Sequence, residues 1–207
     1  MLRVCSIAGE ELASVSTQEV KHISALKHML RRLHGFPLCM QRLLSDNGSI
    51  LNDSLKLEGD AEIQLVLLSL STGNLCNEAA LELISCASEP GHLKTARMLL
   101  EAGVNKDICR QRGKTVLMHA AQNGQLEIAQ LLVEASADID ARDWARETAL
   151  MYACDSGHVE IVRLLLEAGA DNDLSDLNGN TALVHASARG HAEISRLLMP
   201  RRKFKVI

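Results

Sequence analysis

A 33-residue period in the second half of the chain restricts its fold more than any other feature. Thr115, Thr148 and Thr181 open the similar stretches TVLMHA, TALMYA and TALVHA at steps of 33 residues. Glycines keep the same step, at positions Gly91, Gly124, Gly157 and Gly190. A fixed period of 20 to 50 residues predicts a stack of repeated units, each one supersecondary motif, in place of a single globular core.

Each unit has the pattern of two short helices. A threonine can cap the start of the first helix, and a glycine can end it in a left-handed turn. In the second helix, apolar residues such as Ile161, Leu164 and Leu165 recur at three- and four-residue steps, which indicates one buried helical face. Two short helices cannot bury such faces alone, so the pattern predicts an array that becomes stable by stacking.

The unit, with Thr-x-Leu, Ala, Gly-His and the run LLLEAGAD that ends at Asp171, resembles the ankyrin repeat over the last two-thirds of the chain. The resemblance implies an α-solenoid of about four repeats, at roughly 77–112, 113–145, 146–178 and 179–207. It also implies that the chain acts by binding other proteins. The expected partners are therefore proteins, and the expected class is a non-enzymatic scaffold or adaptor.

The sequence departs from the ankyrin pattern at two positions of the unit and in its first copy. The proline that usually follows the threonine is replaced at Val116, Ala149 and Ala182, and the usual histidine at Met118, Met151 and Val184. Some of the family's threonine-to-histidine hydrogen bonds should therefore be missing. In the first copy Glu82 stands in the threonine place, so this copy is interpreted as a cap or a degenerate repeat.

The first seventy residues do not share the period and predict a small α+β unit. Two strands near the N-terminus precede a helix whose apolar face is Ile23, Leu26, Leu30 and Leu33, and two further strands are predicted at 40–44 and 62–68. Ser16 and Glu19 have the spacing of a capping box before the helix. Gly35 and Pro37 are expected to end it.

The order strand, strand, helix, strand, strand, with Gly-Phe-Pro at 35–37, QRLL at 41–44 and IQLVL at 63–67, resembles ubiquitin, the β-grasp fold. The resemblance implies a partner-binding patch at Leu44, Gln64 and Val66, where glutamine replaces the histidine of ubiquitin. The chain continues past this segment without a free Gly-Gly end, so a docking module is expected and conjugation is not. The predicted domains are 1–70 (ubiquitin-like), a linker at 71–76, and 77–207 (ankyrin repeats).

Composition excludes several function classes. Aromatic residues make up 2% of the chain, which disfavours an aromatic-lined ligand pocket, and the net charge of -4 offers no overall attraction for nucleic acid. No apolar stretch is long enough to insert in a membrane. The six cysteines form no C-x-x-C pair and are interpreted as reduced thiols. The expected location is the cytoplasm, with the nucleus as an option because of the basic run at 201–205.

No motif in the sequence predicts catalysis, a cofactor or a metal site. Cys154 and His158 are close enough in sequence for a nucleophile and a base, but Ala121 and Ser187 fill the equivalent positions of Cys154. The histidines after the repeat glycines are spread one per unit, so turn formation is the expected role. The repeating aspartates, Asp138, Asp140, Asp171 and Asp173, are interpreted as loop formers.

The variable positions between repeats are the candidate binding surface, because repeat stacks present extended concave faces. Trp144 is the only tryptophan and is flanked by Asp143, Arg146 and Glu147, while the preceding tip supplies Arg110 and Arg112. Tryptophan together with arginines is a composition typical of interface hot spots. The alternative is that Trp144 only covers a neighbouring loop. The candidate residues of the repeats are Arg110, Arg112, Lys114, Gln122, Asn123, Trp144, Arg146, Asp155, Leu177, Asn178 and Arg189.

Two functions are compatible with the sequence. In the first, the repeats bind a target protein while the ubiquitin-like domain docks on a second partner, such as ubiquitin or proteasome machinery. In the second, the protein is structural or vestigial, and its N-terminal domain only caps the repeat stack.

Overall fold

The computed structural model describes residues 2–6, 8, 10–16, 19–45, 48–57, 61–67 and 73–199. The chain divides into two compact units, one of Met1–Leu83 with His92–Val104 and the other of Ile84–Gly91 with Asn105–Ile207. The predicted basic run at 201–205 lies outside the described residues. The predicted domain limits stay predictions, since the division into units does not test them.

A four-stranded sheet forms the base of the first unit. Its strands are β1 (Leu2–Ser6), β2 (Glu11–Val15), β3 (Gln41–Ser45) and β4 (Ala61–Leu67), in the spatial order β2-β1-β4-β3. β1 runs parallel to β4 and antiparallel to β2, and β3 runs antiparallel to β4. The prediction of strands on both sides of one helix is confirmed, with bounds within one residue for the last two.

Helix α1 (Ile23–His34) packs its apolar face on this sheet. Ile23, Leu26 and Leu30 are fully buried with strand residues such as Val4 and Leu43. The fourth residue predicted for this face is wrong, because Leu33 is 50% exposed. Gly35 ends the helix with a left-handed φ of 82°, as the sequence predicts.

The predicted capping box does not start this helix. The N–H groups of Glu19 and Val20 both donate to the carbonyl of Ser16, which makes a separate turn. The helix begins only at Ile23, after the N-cap residue His22, which makes no side-chain capping bond. Thr17 and Gln18 lie outside the described residues.

The next two helices are α2 (Gly73–Ser88) and α3 (Leu93–Glu101). α2 starts inside the segment predicted as a linker, and residues 71–72 of that segment are outside the described part of the chain. In the first unit, the Glu82 carboxylate of α2 accepts hydrogen bonds from the backbone N–H groups of Leu38 (2.7 Å) and Cys39 (3.0 Å). Arg31 of α1 lies 3.5 Å from the same carboxylate.

Glu82 is therefore a structural residue of the first unit, where the ankyrin pattern has a threonine. Its side chain is 7% exposed and that of Arg31 is 9% exposed. A buried carboxylate needs charge and hydrogen-bond compensation, and the two N–H donors and the neighbouring Arg31 guanidinium supply it. The substitution at this repeat position thus has a specific contact as its physical reason.

The second unit contains three helix pairs and a hairpin. The elements are β5 (Cys109–Arg110), β6 (Lys114–Thr115), α4 (Val116–Asn123), α5 (Leu126–Glu134), α6 (Ala149–Ser156), α7 (Val159–Glu167), α8 (Ala182–Ala188) and α9 (Ala192–Leu198). α4, α6 and α8 pack in one row, and α5, α7 and α9 form a second row. This arrangement confirms the predicted stack of helix pairs.

The repeat residues form these helices in the predicted way. Thr115 and Thr148 accept hydrogen bonds from the N–H groups of Met118 (3.3 Å) and Met151 (3.4 Å), which caps α4 and α6. At Thr181 the side chain makes no such cap. The thioether of Met118 also accepts from the Thr115 N–H at 3.3 Å. Methionine therefore supplies one acceptor in the place of the usual histidine.

Among the described residues, no helix is both long and apolar enough to cross a membrane.

Candidate functional site

The loops that precede α4, α6 and α8 form a row of exposed tips. The N–H of Trp144 donates to the carbonyl of Arg112 (2.8 Å), and 33 residues later the N–H of Leu177 donates to the carbonyl of Ala145 (2.9 Å). These two bonds tie each tip to the preceding one. Trp144 and Leu177 are 76% and 65% exposed, so the fixed tips present apolar side chains to solvent.

The middle tip is built around Asp143. Its carboxylate accepts hydrogen bonds from the N–H groups of Ala145 (2.9 Å) and Glu147 (2.8 Å) and from the hydroxyl of Tyr152 (2.9 Å). Asp176 has the same place in the next tip, where the N–H groups of Asn178 and Asn180 donate to it at 2.8 Å. Both aspartates are buried. Their carboxylates therefore accept hydrogen bonds within the loops and are not exposed to a partner.

A groove of about 810 Å³ lies between these tips and the first helices of the repeats. Five of the predicted binding residues line it, namely Arg112, Lys114, Gln122, Trp144 and Leu177. The structure adds six residues that the predicted surface omitted, namely Gln111, His119, Asp143, Ala145, Glu147 and Tyr152. His119 and Tyr152 occupy the same position of consecutive repeats, so the repeat period by itself predicts that they share one surface.

Lys114 is the central cation of the groove. Its Nζ lies 3.8 Å from the centre of the Tyr152 ring and donates a hydrogen bond to the amide oxygen of Gln122. Burial lowers the pKa of Lys114, while the charges of Asp143 and Glu147 oppose that shift. The ammonium is therefore held by a ring face and an amide oxygen, a geometry in which cation–π attraction is effective.

The aromatic groups beside Lys114 are neutral near pH 7. Burial raises the pKa of Tyr152, and hydrogen bonds to Glu147 and Asp143 raise it further. Burial lowers the pKa of His119, and the charge of Lys114 adds to this effect. The groove floor thus combines neutral rings with one cation, a surface suited to contact with another protein.

Six predicted residues do not line the groove. Arg110, Arg146 and Asn178 lie on the exposed tips, while Asn123 ends α4 and donates to the carbonyl of His119 at 2.8 Å. Asp155 and Arg189 form a two-pronged ion pair, with distances of 2.8 and 2.9 Å between the guanidinium nitrogens and the carboxylate oxygens. This pair satisfies both charges within the repeats.

Arg146, like Gln111 and Arg112 of the first tip, is a non-glycine residue with a positive φ. Its φ is +63°, and glycines occupy the equivalent position of the neighbouring tips, where Gly113 and Gly179 have φ of 81° and 80°. A non-glycine residue is uncommon in this region. The middle tip therefore carries an arginine where the turn itself favours glycine.

The histidines that follow the repeat glycines join adjacent repeats, in agreement with the predicted structural role. The Nε2 atoms of His158 and His191 lie 3.1 Å and 3.3 Å from the carbonyl oxygens of Gln122 and Asp155. Their rings cover glycines of the preceding repeats so closely that an added Cβ would lie within 2.7 Å of the ring. The repeating aspartates likewise bridge loops, as where Asp171 N–H donates to Asp140.

Glu147, Asp176 and His185 are the described residues that could hold a metal ion, since their ligand atoms lie within 4.8 Å of one another. His185 Nε2 is 3.3 Å from Asp176 Oδ2. The Asp176 carboxylate already accepts three bonds from Asn178 and Asn180, one of them from the Asn180 side chain at 3.1 Å. These hydrogen bonds assign Asp176 to turn formation.

Cys154 is not placed for nucleophilic chemistry. Its side chain is fully buried, and burial raises the pKa of the thiol to about 12. The thiolate is the reactive form, so this cysteine is inert near neutral pH. His158 directs Nε2 to the Gln122 carbonyl.

The residues of the predicted ubiquitin-like patch share the outer face of the sheet in the first unit. Leu44 lies directly opposite Gln64 in the β3–β4 pairing, and Val66 lies opposite Arg42. Their neighbours Leu43, Ile63 and Leu65 face the core. Gln64 is exposed, and Leu44 and Val66 are half-buried.

The fold and the site define a helical-repeat protein with a groove between its exposed tips and the first helices of its repeats. A family model described as "Ankyrin repeats (3 copies)" matches residues 34–143, 83–176 and 143–206, which together cover well over half of the chain. The chain belongs to the ankyrin repeat family. A search of curated proteins gave no match. Ankyrin repeats generally mediate protein–protein interactions, and proteins of this class are typically non-enzymatic binding modules.

Proposed function

We propose that this protein is an adaptor whose repeat groove binds a target protein while the outer face of its N-terminal sheet docks on a second one. The groove supports the first half of the proposal. Trp144 is held by its backbone bond to Arg112 but leaves 76% of its surface exposed. A large aromatic side chain in a fixed position loses little conformational entropy on binding, which is typical of a hot spot.

The alternative role of Trp144, which is to cover a neighbouring loop, accounts for only part of its side-chain surface. The indole lies against Gly113, where an added Cβ would be 2.9 Å from Cδ1. One edge of the ring therefore covers the preceding tip. The remaining surface is free for a partner, so both roles apply to the same side chain.

The topology of the N-terminal sheet supports a ubiquitin-like docking module. The order β2-β1-β4-β3, with parallel β1 and β4 and helix α1 packed on the sheet, supports the β-grasp part of this proposal. Leu44, Gln64 and Val66 then occupy one face. We infer that ubiquitin-handling machinery is the class of second partner, and that the protein works in the cytoplasm, with the nucleus as the second option.

The structural alternative has an observation in its favour. Glu82 of the first repeat helix is bound by Leu38 and Cys39, so the N-terminal domain and this helix share a buried contact. Capping of the repeats by the N-terminal domain explains that contact without any second partner. Capping and docking use different residues of the domain, so they can be separated by mutation.

The experiment compares point variants of the full chain as baits for affinity purification with quantitative mass spectrometry. Trp144→Ala should lose one set of proteins and the double variant Leu44→Ala/Val66→Ala another. Arg97→Ala, an exposed change on α3, is the matched control. Full-length baits are required because a cut near residue 74 would separate Glu82 from its donors.

Two results would contradict the adaptor. If Trp144→Ala retained every bound protein, the groove would be excluded as the binding site of those proteins. Retention of every protein by the Leu44/Val66 double variant would leave the N-terminal domain with capping alone. Circular dichroism melts of each variant distinguish loss of binding from loss of folding.

A further inference from the structure

The exposed charges around the groove are of one sign. Arg110, Arg112 and Arg146 are exposed on the first two tips, and among the described residues no ion pair involves any of them. The nearby aspartates are buried and bonded within their own loops. Glu147 is the remaining carboxylate of these tips, and it is half-buried beside Tyr152. The tips thus present a basic face although the chain as a whole is acidic.

This basic face is continuous with exposed apolar surface. Trp144 and Leu177 occupy equivalent positions of consecutive tips and are both largely exposed. Lys114 extends the positive charge into the groove, where it lies over the Tyr152 ring. A ligand that complements the whole surface therefore needs negative charge on either side of an apolar group.

The backbone of Arg146 gives a reason to treat this charge as functional. In the tips before and after it, the same left-handed position is filled by glycine. An arginine side chain makes that conformation less favourable than glycine does. The described hydrogen bonds of Arg146 in this turn involve its backbone, since its N–H donates to the Asp143 carbonyl and its carbonyl accepts from Arg142 Nε.

We propose that the groove and its tips bind an acidic segment of a partner protein, with an apolar side chain of that segment against Trp144 and carboxylates on Arg110, Arg112 and Arg146. The proposal rests on the proposed function, since it names the chemistry of the groove's partner. Bidentate pairing of guanidinium with carboxylate provides direction as well as attraction. The net charge of -4 disfavours nucleic acid as the occupant.

The test begins with selection of peptides from a random 16-residue display library on the full-length chain. The expected peptides are net acidic and contain an aliphatic or aromatic residue between the acidic positions. Affinity for a synthesised peptide from this set is then measured by fluorescence anisotropy. Arg110→Glu/Arg112→Glu should weaken binding at least about tenfold, and Trp144→Ala about thirtyfold. Arg97→Glu, the matched charge reversal on α3, should leave it unchanged.

Arg146→Gly gives the sharpest single comparison. This variant should bind the acidic peptide about three- to tenfold more weakly while its melting temperature stays the same or rises, because glycine suits the backbone of this turn. A structural role of Arg146 predicts the opposite pattern, with a lower melting temperature and unchanged binding. That opposite pattern would overturn the assignment of Arg146.

The remaining outcomes distinguish the acidic partner from the more general claim that the groove binds proteins. Selected peptides that lose binding in Trp144→Ala but are not acidic, or are insensitive to the Arg110/Arg112 reversal, would overturn the acidic partner and leave the groove as a protein-binding site. Peptides that bind equally to Trp144→Ala would overturn both. Tighter binding of a single-stranded 16-nucleotide RNA than of the peptides, lost in the arginine variants, would overturn a protein partner in favour of nucleic acid.

Discussion

The contacts between neighbouring repeats recur at the 33-residue step, whereas those that join α1 to α2 and α3 in the first unit depend on particular residues. In the repeats, His158 and His191 make the same contact with successive glycines. In the first unit, Glu82 and Gly35 have no such counterparts among the described contacts. The repeats therefore distribute their stability over equivalent interfaces, while the contacts of Glu82 and Gly35 concentrate it in the first unit.

Glu82→Ala should have the largest effect on stability. It removes the acceptor shared by the Leu38 and Cys39 N–H groups and the charge beside Arg31, all in a buried setting. Breaking a buried pair of this kind costs about 3 to 5 kcal/mol. Urea unfolding of the full chain measures it, with Glu101→Ala, an exposed change on α3, as the control. A loss similar to that of the control would show that the junction does not concentrate stability.

Gly35→Ala should have the next largest effect on stability. The new Cβ would lie 2.5 Å from Cβ of Lys94, and φ at this position is 82°. Strain of the backbone and the steric overlap together should cost about 2 to 4 kcal/mol. Gly103→Ala in the same unit has a similar φ of 88° but open space around its Cβ. The thermal melts of the two variants should therefore differ, and equal melts would mean that close packing at Gly35 adds nothing.

His158→Ala and His191→Ala should have smaller and similar effects. Each loses one hydrogen bond between repeats and the ring that covers a glycine, worth about 1 to 2 kcal/mol. Because the two contacts belong to different repeat interfaces, the double variant should lose about the sum of the single losses. Chemical denaturation of both single variants and the double variant measures these losses of stability. A much larger loss for one single variant than for the other would show that the two interfaces are not equivalent.

Asp176→Asn should have the smallest effect, and one that depends on pH. Burial opposes ionisation of Asp176, but hydrogen bonds from Asn180 and Asn178 and the charge of His185 outweigh it and lower the pKa. A carboxyl with a lowered pKa in the folded state contributes stability above about pH 4, and this contribution is lost as the pH falls. The stability of wild type and variant should therefore converge in acid.

Urea titrations at pH 7 and pH 3 measure this convergence. Asp173→Asn removes a charge from an exposed aspartate of the same loop region and is the matched control. A difference between wild type and Asp176→Asn that is constant over this range would contradict the lowered pKa.

Much of the fold follows from patterns that are local or periodic. The period of Thr115, Thr148 and Thr181 predicts the helix pairs, and the glycines after them predict where the first helices end. The helix start near Ser16 is wrong because capping residues mark a turn as readily as a helix. Leu33 is wrong because α1 presents only part of its apolar stripe to the sheet.

The candidate site was predicted in part for the same reason. Exposed tip residues such as Trp144 and Leu177 depart from the repeat pattern, so the sequence predicts them as candidates for binding. His119 and Tyr152 lie on helices, and only their placement beside Lys114 brings them into the groove. Helical periodicity shows which face a residue occupies, but it does not show which loop lies over that face.

The repeat architecture and the positions of its loops follow from the sequence pattern, because periodic burial requires only that similar units stack. Tertiary structure alone decided how charges are used. Asp143 and Asp176 are turned into their loops, Glu82 is buried at a junction, and the tip arginines are left exposed. The amino-acid sequence gives the sign of each charge but does not give its interaction partner. The partner is determined only when segments distant in sequence come together in the fold.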